Sequence, residues 1–433
     1  LPDVVHESHV EHAVGFVEHQ IGDTVENYGV LLHEVEKTAR GRNEHVGATA
    51  EGRALRAEAD AANDDDLTIR DGEESADLAF TTADKLKIAD ALVRLGIKRT
   101  EVFLTVPGWH EVVRGIMAAN LGLDLWVTWM RGKVEKALDL GVRHVMIWHG
   151  AGEGPQKYIA KQSRPELIEQ LAAKIDTAKA AGCKVNVFMP ESTRSDVGHL
   201  LDVARMAEEH GADAITIVDS QGVMRPAAMT WLVRQIKQAS KLEVEVHCHN
   251  DFGLAVGNVL AGYEGGADVL QVSINAIGYR AGNASMESVA MALEVLYGVP
   301  TGLQLDRLPE VCALVQRLSG IPANYYQPIV GKGAFRYEQW MAIDTYSKAG
   351  VRGWAFPFEP ELVGRKPELV IGKWSDEGAV IQKLAEYGLT ASPDQVGRIL
   401  TASQRAGAAT HRPLGDDEFL RIALDLGASE QEG

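Results

Sequence analysis

From Asp66 to about Ile274 the chain repeats one pattern. A short β-rich apolar run is followed by a longer stretch with apolar residues at helical spacing. The runs fall at Asp66–Arg70, Glu101–Thr105, Leu123–Met130, His144–His149, Val185–Met189, Ala214–Val218, Val244–His249 and Val269–Ile274. Helical patterns fill the gaps, as in Ala83–Leu95, Arg164–Ala180, Val197–His210, Ala227–Ala239 and Leu254–Tyr263. Eight β/α units of this size predict an α/β protein built as a TIM (β/α)8 barrel. A doubly wound sheet is the alternative, but no Gly-rich dinucleotide turn follows the first run.

The rhythm is absent at both ends. Residues 1–63 show apolar positions at helical spacing (Val10, Val14, Val17, Ile21) and a polar connector, predicting a helical N-terminal extension. His6, His9 and His12 lie there three apart; a solvated helix face accounts for them better than a metal does. Residues 64–300 form the predicted catalytic barrel. Residues 301–433 form a C-terminal appendage, with helical patterns at Leu308–Leu318, Gly378–Tyr387, Pro393–Ala406 and Asp416–Leu426 between irregular stretches.

Composition narrows the class. With 45% hydrophobic and 24% charged residues the chain is globular, neither disordered nor fibrous. A net charge of −18 argues against nucleic acid or an anionic membrane as partner. No apolar run is long enough to span a bilayer, and no basic-then-apolar signal pattern opens the chain. Cys183, Cys248 and Cys312 are far apart and read as reduced thiols, the usage of a cytoplasmic protein.

In a TIM barrel the reacting groups sit at the C-terminal ends of strands. His247 and His249 are two apart in one strand, so both imidazoles share a face, while Val244, Val246 and Cys248 take the other. Two neutral imidazoles and a carboxylate suit Zn²⁺, Mn²⁺, Fe²⁺ or Co²⁺ with positions open for substrate. Asp71 is the natural carboxylate, and the amide oxygen of Asn283 completes the set. Arg70 beside it can reach a ligand oxygen and stabilise developing negative charge, or pair with Glu101; both roles are compatible.

Three motifs carry a resemblance: Asp66 to Glu73, His247-Cys248-His249-Asn250-Asp251 with Gly253-Leu254-Ala255, and Gly278 to Ser285. In order and strand position they resemble the DRE-TIM metallolyases, also called the pyruvate carboxyltransferase or HMGL-like family, and most closely the isopropylmalate and homocitrate synthase branch. The likeness runs from about Asp66 to Leu296, with a weaker echo through Gly372-Lys373. It implies a divalent metal (Mg²⁺, Mn²⁺ or Zn²⁺) on Asp71, His247, His249 and Asn283, chelated by a 2-oxo acid. It implies that Arg70 polarises the carbonyl, that Glu101 matches the strand-two glutamate, and that Glu191 matches a glutamate near the substrate. Ser220 sits where the family has a carboxylate-binding threonine. Acetyl-CoA or another acyl-CoA is the implied co-substrate, and a homodimer the implied assembly.

The chain departs from that pattern in several places. Glu74 stands where the synthases carry a glutamine, and Tyr279 where they carry a glutamate; both fall among the substrate-binding positions. Tyr337 and Ala342 occupy the places of two appendage histidines, one of which moves a proton, and alanine cannot. His149, at the end of strand four, is the candidate replacement base. Trp126, Trp129, Trp148, Trp340 and Trp354 suggest an aromatic mouth. Claisen-type condensation of an acyl-CoA with a 2-oxo acid is the leading expectation. A CoA-independent aldolase, lyase or decarboxylase acting on a 2-oxo or hydroxy acid is the alternative, and a non-catalytic barrel a distant third.

Overall fold

A computed structural model describes residues 63–130, 134–340 and 356–431. The helices expected before Asn63, the histidines within them, Ala342 and Trp354 lie outside the described residues.

Eight parallel strands close into a barrel in sequence order: β1 (Asn63–Asp66), β2 (Arg99–Phe103), β3 (Asp124–Trp129), β4 (His144–Trp148), β5 (Lys184–Met189), β6 (Ala214–Asp219), β7 (Glu243–Cys248) and β8 (Val269–Val272). The seam joins β8 to β1, with Asn63 opposite Val269 and Asp66 opposite Val272. Closure leaves no free edge, so every strand can be short. Helices follow the strands: α1 (Thr82–Leu95), α2 (Trp109–Ala119), α3 (Glu135–Asp139), α4 (Arg164–Ala180), α5 (Val197–Glu209), α6 (Pro226–Ala239), α7 (Ala255–Gly265) and α8 (Met286–Met291). The TIM barrel expected from the alternating pattern is the fold observed.

Local chemistry sets the helix starts. Ser163 accepts the backbone N–H of Glu166 while the Glu166 carboxylate takes that of Ser163, and Pro165 lies in the first turn of α4. Such a capping box contributes about 1 kcal/mol. Outward strand residues such as Val145, Ile147, Val185, Val187, Val244 and Val246 are buried against the apolar faces of these helices. The fit is close at Gly262 of α7, where a Cβ would lie 2.8 Å from the Val246 side chain.

The first strand is displaced from its expected place. The apolar Leu67 and Ile69 suggested a strand at Asp66–Arg70, yet β1 is the acidic run Asn63-Asp64-Asp65-Asp66. Asp66 ends it: its carboxylate accepts from Thr68 N (3.0 Å) and Thr68 Oγ1 (2.8 Å), and the chain turns into a 3-10 turn at Asp71–Glu74. Asp disfavours strands. Here the barrel interior supplies the compensation, since Asp65 pairs with Arg99 at 3.1 Å and Arg99 with Glu245 at 2.7 Å.

Beyond Pro300, α9 (Leu308–Ser319) buries Leu308, Val311, Cys312 and Val315 in the core that surrounds the barrel. A second apolar core holds α10 (Glu377–Glu386), α11 (Pro393–Thr410) and α12 (Asp416–Asp425) through Leu384, Ile399 and Phe419. All four helices expected in this region are present. The described residues contain no helix long and apolar enough to cross a membrane.

Candidate active site

Asp71, His247 and His249 come together at the C-terminal mouth of the barrel, all buried, with their ligand atoms within 4.8 Å of one another. His247 is the last inward residue of β7 and His249 follows just beyond the strand. Asp71 reaches them from the turn after β1. His247 Nε2 and His249 Nε2 are 3.2 Å apart, and Asp71 Oδ2 is 3.6 Å from His247 Nε2.

Burial pushes the His247 imidazole well below its ordinary pKa, and burial lowers that of His249 as well. Both rings are therefore neutral at pH 7. Two neutral imidazoles presenting Nε2 to each other need a shared proton or a cation between them. Two nitrogens bound to one ion at about 2.0–2.1 Å stand about 3.3 Å apart in tetrahedral geometry, which is close to the separation observed. Burial by itself would raise the pKa of Asp71. Arg70, the two histidines and the Asn283 amide outweigh it and hold the carboxyl well below the usual range. The donor set fits a divalent ion.

Asn283 stands beside Asp71. Its Nδ2 donates to Asp71 Oδ1 at 2.8 Å and to the Ile277 carbonyl at 3.2 Å, leaving its buried Oδ1 without a hydrogen-bond partner among the described residues. That oxygen is a further possible ligand. Gly278 makes room for it, because a Cβ there would lie 2.3 Å from Asn283 Nδ2 and 3.0 Å from Asp71 Oδ1.

Arg70 is 1% exposed and rigidly held. Nε donates to Glu101 Oε2 at 2.6 Å and NH1 to Asp71 Oδ2 at 2.7 Å, while its guanidinium lies 5.5 Å from the Phe103 ring and 5.2 Å from that of Phe188. NH2 has no partner among the described residues. Glu101 is thus committed to holding Arg70 and to accepting from Gln271 Nε2 at 3.3 Å.

Other expected residues fall into separate groups. Glu191 adopts a left-handed φ of +63°, and its backbone N–H donates to Ser220 Oγ at 2.7 Å. The Ser220 hydroxyl keeps its own proton to donate. Arg280 ties this pair to the β8 turn, donating to the Ser220 carbonyl at 2.6 Å and to Asp251 at 2.7–2.8 Å. Tyr279 is half-exposed; its N–H donates to Asp71 Oδ1 at 3.3 Å and its ring lies edge-on to His249. Glu74 has a buried Oε1 with no partner among the described residues, and burial, then Asp71, push its carboxyl up to about 7.

His149 is not with these groups. Trp148 takes the inward position at the end of β4, so His149 points outward, its ring 5.6 Å from that of His199 on α5. Burial lowers its pKa to about 4. Strand alternation, not visible until the register of β4 is known, turns this candidate base away from Asp71, His247 and His249. Of the tryptophans, Trp126 and Trp148 face the interior, Trp129 packs in the outer core and Trp340 against the C-terminal core. Tyr337 stacks on Trp340 and lies with the C-terminal core as well.

One residue of the site escaped the sequence. Gln271, inward on β8, accepts from His247 Nδ1 at 3.1 Å and donates to Glu245 Oε2 at 2.8 Å. A lone glutamine in a β run carries no motif; its place opposite His247 in the β7–β8 register does.

The model of the family described as HMGL-like matches residues 65–315. Among its relatives, the chain is 37% identical over 350 residues to a probable 2-isopropylmalate synthase of Ignicoccus hospitalis, covering 79% of this chain and 86% of that one. It is 36% identical over 346 residues to a homocitrate synthase of Methanopyrus kandleri, covering 79% and 87%. A crystal structure of HMG-CoA lyase from Bacillus subtilis superposes with a TM-score of 0.56 at 19% identity, covering 63% of this chain and 97% of the lyase, a likeness of fold. The match to the family model runs from the last two residues of β1 through β8 and α8 to within α9, and the chain belongs to the HMGL-like family.

Proposed function

We propose that this chain joins an acyl-CoA to a 2-oxo acid by a Claisen-type condensation at a divalent ion held by Asp71, His247 and His249, with the Asn283 amide oxygen as a further ligand. The observation that carries the reading is the buried triad itself, two neutral imidazoles and an ionised carboxylate whose ligand atoms lie within 4.8 Å. A bound ion supplies Lewis acidity toward the carboxylate and keto oxygens of a 2-oxo acid. The names of the relatives, 2-isopropylmalate and homocitrate synthases, support condensation as the chemistry.

The chain's own residues supply the rest. Arg70 NH2 donates to the keto oxygen as negative charge develops there, and costs no reorganisation because Glu101 and Asp71 already hold the guanidinium in place. Ser220 and the neighbouring Glu191 bind the polar end of the substrate, with Tyr279 at the rim. Condensation requires a group that takes a proton from the acyl donor. We assign this to Glu74, which lies within electrostatic reach of Asp71 and Arg70 and has an oxygen without a partner among the described residues. His149 faces the wrong way.

The new C–C bond leaves CoA in thioester linkage, and hydrolysis of that thioester by water frees the thiol, so the test is thiol release. The protein with Mg²⁺, Mn²⁺ or Zn²⁺ is given acetyl-CoA and a panel of 2-oxo acids, with a chelated control. Metal-dependent release of free CoA with one acid is expected, and E74Q is expected to retain metal while losing release. No release with any acid, from protein that still binds metal, overturns the condensation and leaves CoA-independent cleavage to be assayed.

A further inference from the structure

The interior of the barrel just below the metal ligands is filled by rings. Trp148 stacks on Phe188 with centroids 5.2 Å apart and an interplanar angle of 23°, and tilts against Phe103 at 5.8 Å. Trp148 and Phe188 are opposite one another in the β4–β5 register. Phe188 meets the His247 ring edge-on at 5.5 Å, and Phe103 and Phe188 both contact the Arg70 guanidinium. Beneath them Trp126, Met146 and Val218 close the interior, each at most 5% exposed. Trp148 is the member of this cluster that is only partly buried.

We infer that Trp148 sets the substrate class of the site by restricting the 2-oxo acid to a short, uncharged side chain of about the size of hydrogen, methyl or ethyl. The inference rests on the condensation reading above. A 2-oxo acid held between the triad and Arg70 has its carboxylate and keto oxygen directed to the ion and to Arg70. Its remaining substituent meets the wall of Phe103, Trp148 and Phe188. These rings are already in van der Waals contact, so a branched substituent has no depth to enter without displacing one of them. The three rings of the wall carry no charge, and the Arg70 guanidinium that Phe103 and Phe188 touch is already engaged by Glu101, Asp71 and the keto oxygen, so burying a second carboxylate against this wall is costly. In a pocket of this kind one methylene changes selectivity by about 10–200-fold.

The experiment compares kcat/KM for glyoxylate, pyruvate, 2-oxobutyrate, 3-methyl-2-oxobutanoate and 2-oxoglutarate in the wild type, W148A and W148F. Circular dichroism and metal content establish that each variant is folded and loaded. The wild type is expected to favour one of the three short acids by at least tenfold. W148A is expected to raise the ratio of branched to short acid by at least tenfold, and W148F, which keeps an aromatic wall, by less than about threefold. A wild-type preference for the branched or the dicarboxylic acid overturns the inference, as does a W148A ratio within twofold of the wild type. Calorimetric binding of the same acids to the metal-loaded protein is run in parallel. If no acid releases thiol but the short acids bind best and W148A reverses that order, the condensation fails and the size restriction stands; equal binding of all five, or binding of none, overturns it.

Discussion

Gln271 Oε1 accepts the Nδ1–H of His247 at 3.1 Å, and this bond decides which ring nitrogen faces Asp71. The amide orientation is set from the other side, because Gln271 Nε2 donates to the carboxylates of Glu101 (3.3 Å) and Glu245 (2.8 Å). With Oε1 thus turned to the ring, His247 carries its proton on Nδ1 and presents a bare Nε2. Gln271→Leu removes the acceptor without adding charge. Metal affinity measured by calorimetry is expected to fall about 10–100-fold with the fold intact. An unchanged dissociation constant would show that the ring is oriented by packing alone.

Loss of a ligand should be more severe. His247→Ala and Asp71→Ala are expected to bring bound metal, measured by elemental analysis, close to zero. An ion that binds only the folded state stabilises it by about 2.7 kcal/mol at a hundredfold excess over its dissociation constant. Chelation should therefore lower the melting temperature of the wild type and leave these two variants unmoved. Full metal content in either variant would refute its assignment as a ligand.

Arg70→Ala separates binding from chemistry. Metal content should persist and turnover should disappear, since the lost donor acts on charge that develops during reaction. The variant also leaves Glu101 buried without its cation, at a cost of about 3–5 kcal/mol in stability. Adding Glu101→Gln should recover part of that stability and none of the activity. If only the Michaelis constant changes in Arg70→Ala, the arginine binds substrate and does not assist the reaction.

The acidic first strand predicts a pH dependence. Asp64 is buried with Oδ1 unpartnered among the described residues, and burial pushes its carboxyl from 3.8 up to about 7. Between those values the folded state holds a proton that the unfolded state has released, so stability falls as pH rises through this window. Below about pH 4 the group contributes no penalty; above about 7 the penalty is complete, at most about 4 kcal/mol for this shift. Asp64→Asn should melt higher than the wild type at pH 8 and equally at pH 4, by calorimetry at both values. A difference that does not change with pH would remove Asp64 as its source.

Much of this protein can be read along the chain. Apolar runs at alternating periods mark seven of the eight strands to within a residue or two, because outward barrel positions must be apolar to meet the helices. His247 and His249 follow from the same periodicity, two residues apart on one strand, and the helices of the C-terminal region follow from theirs. These features depend on local spacing, which is present in the order of residues.

Contacts between distant strands follow no such spacing. That an acidic tetrapeptide forms β1 depends on Arg99 and the closed barrel that buries it. That Asn283 reaches Asp71 across 212 positions, and that Gln271 orients His247, depend on which strands become neighbours. His149 and Trp148 make the contrast sharpest. Trp148 ends β4 and His149 follows it directly, and their chemistry favoured the histidine as the reacting group. The β4 register turns Trp148 into the barrel interior against Phe188 and His149 toward α5, because successive side chains of a strand point to opposite faces and a shift of one residue exchanges them.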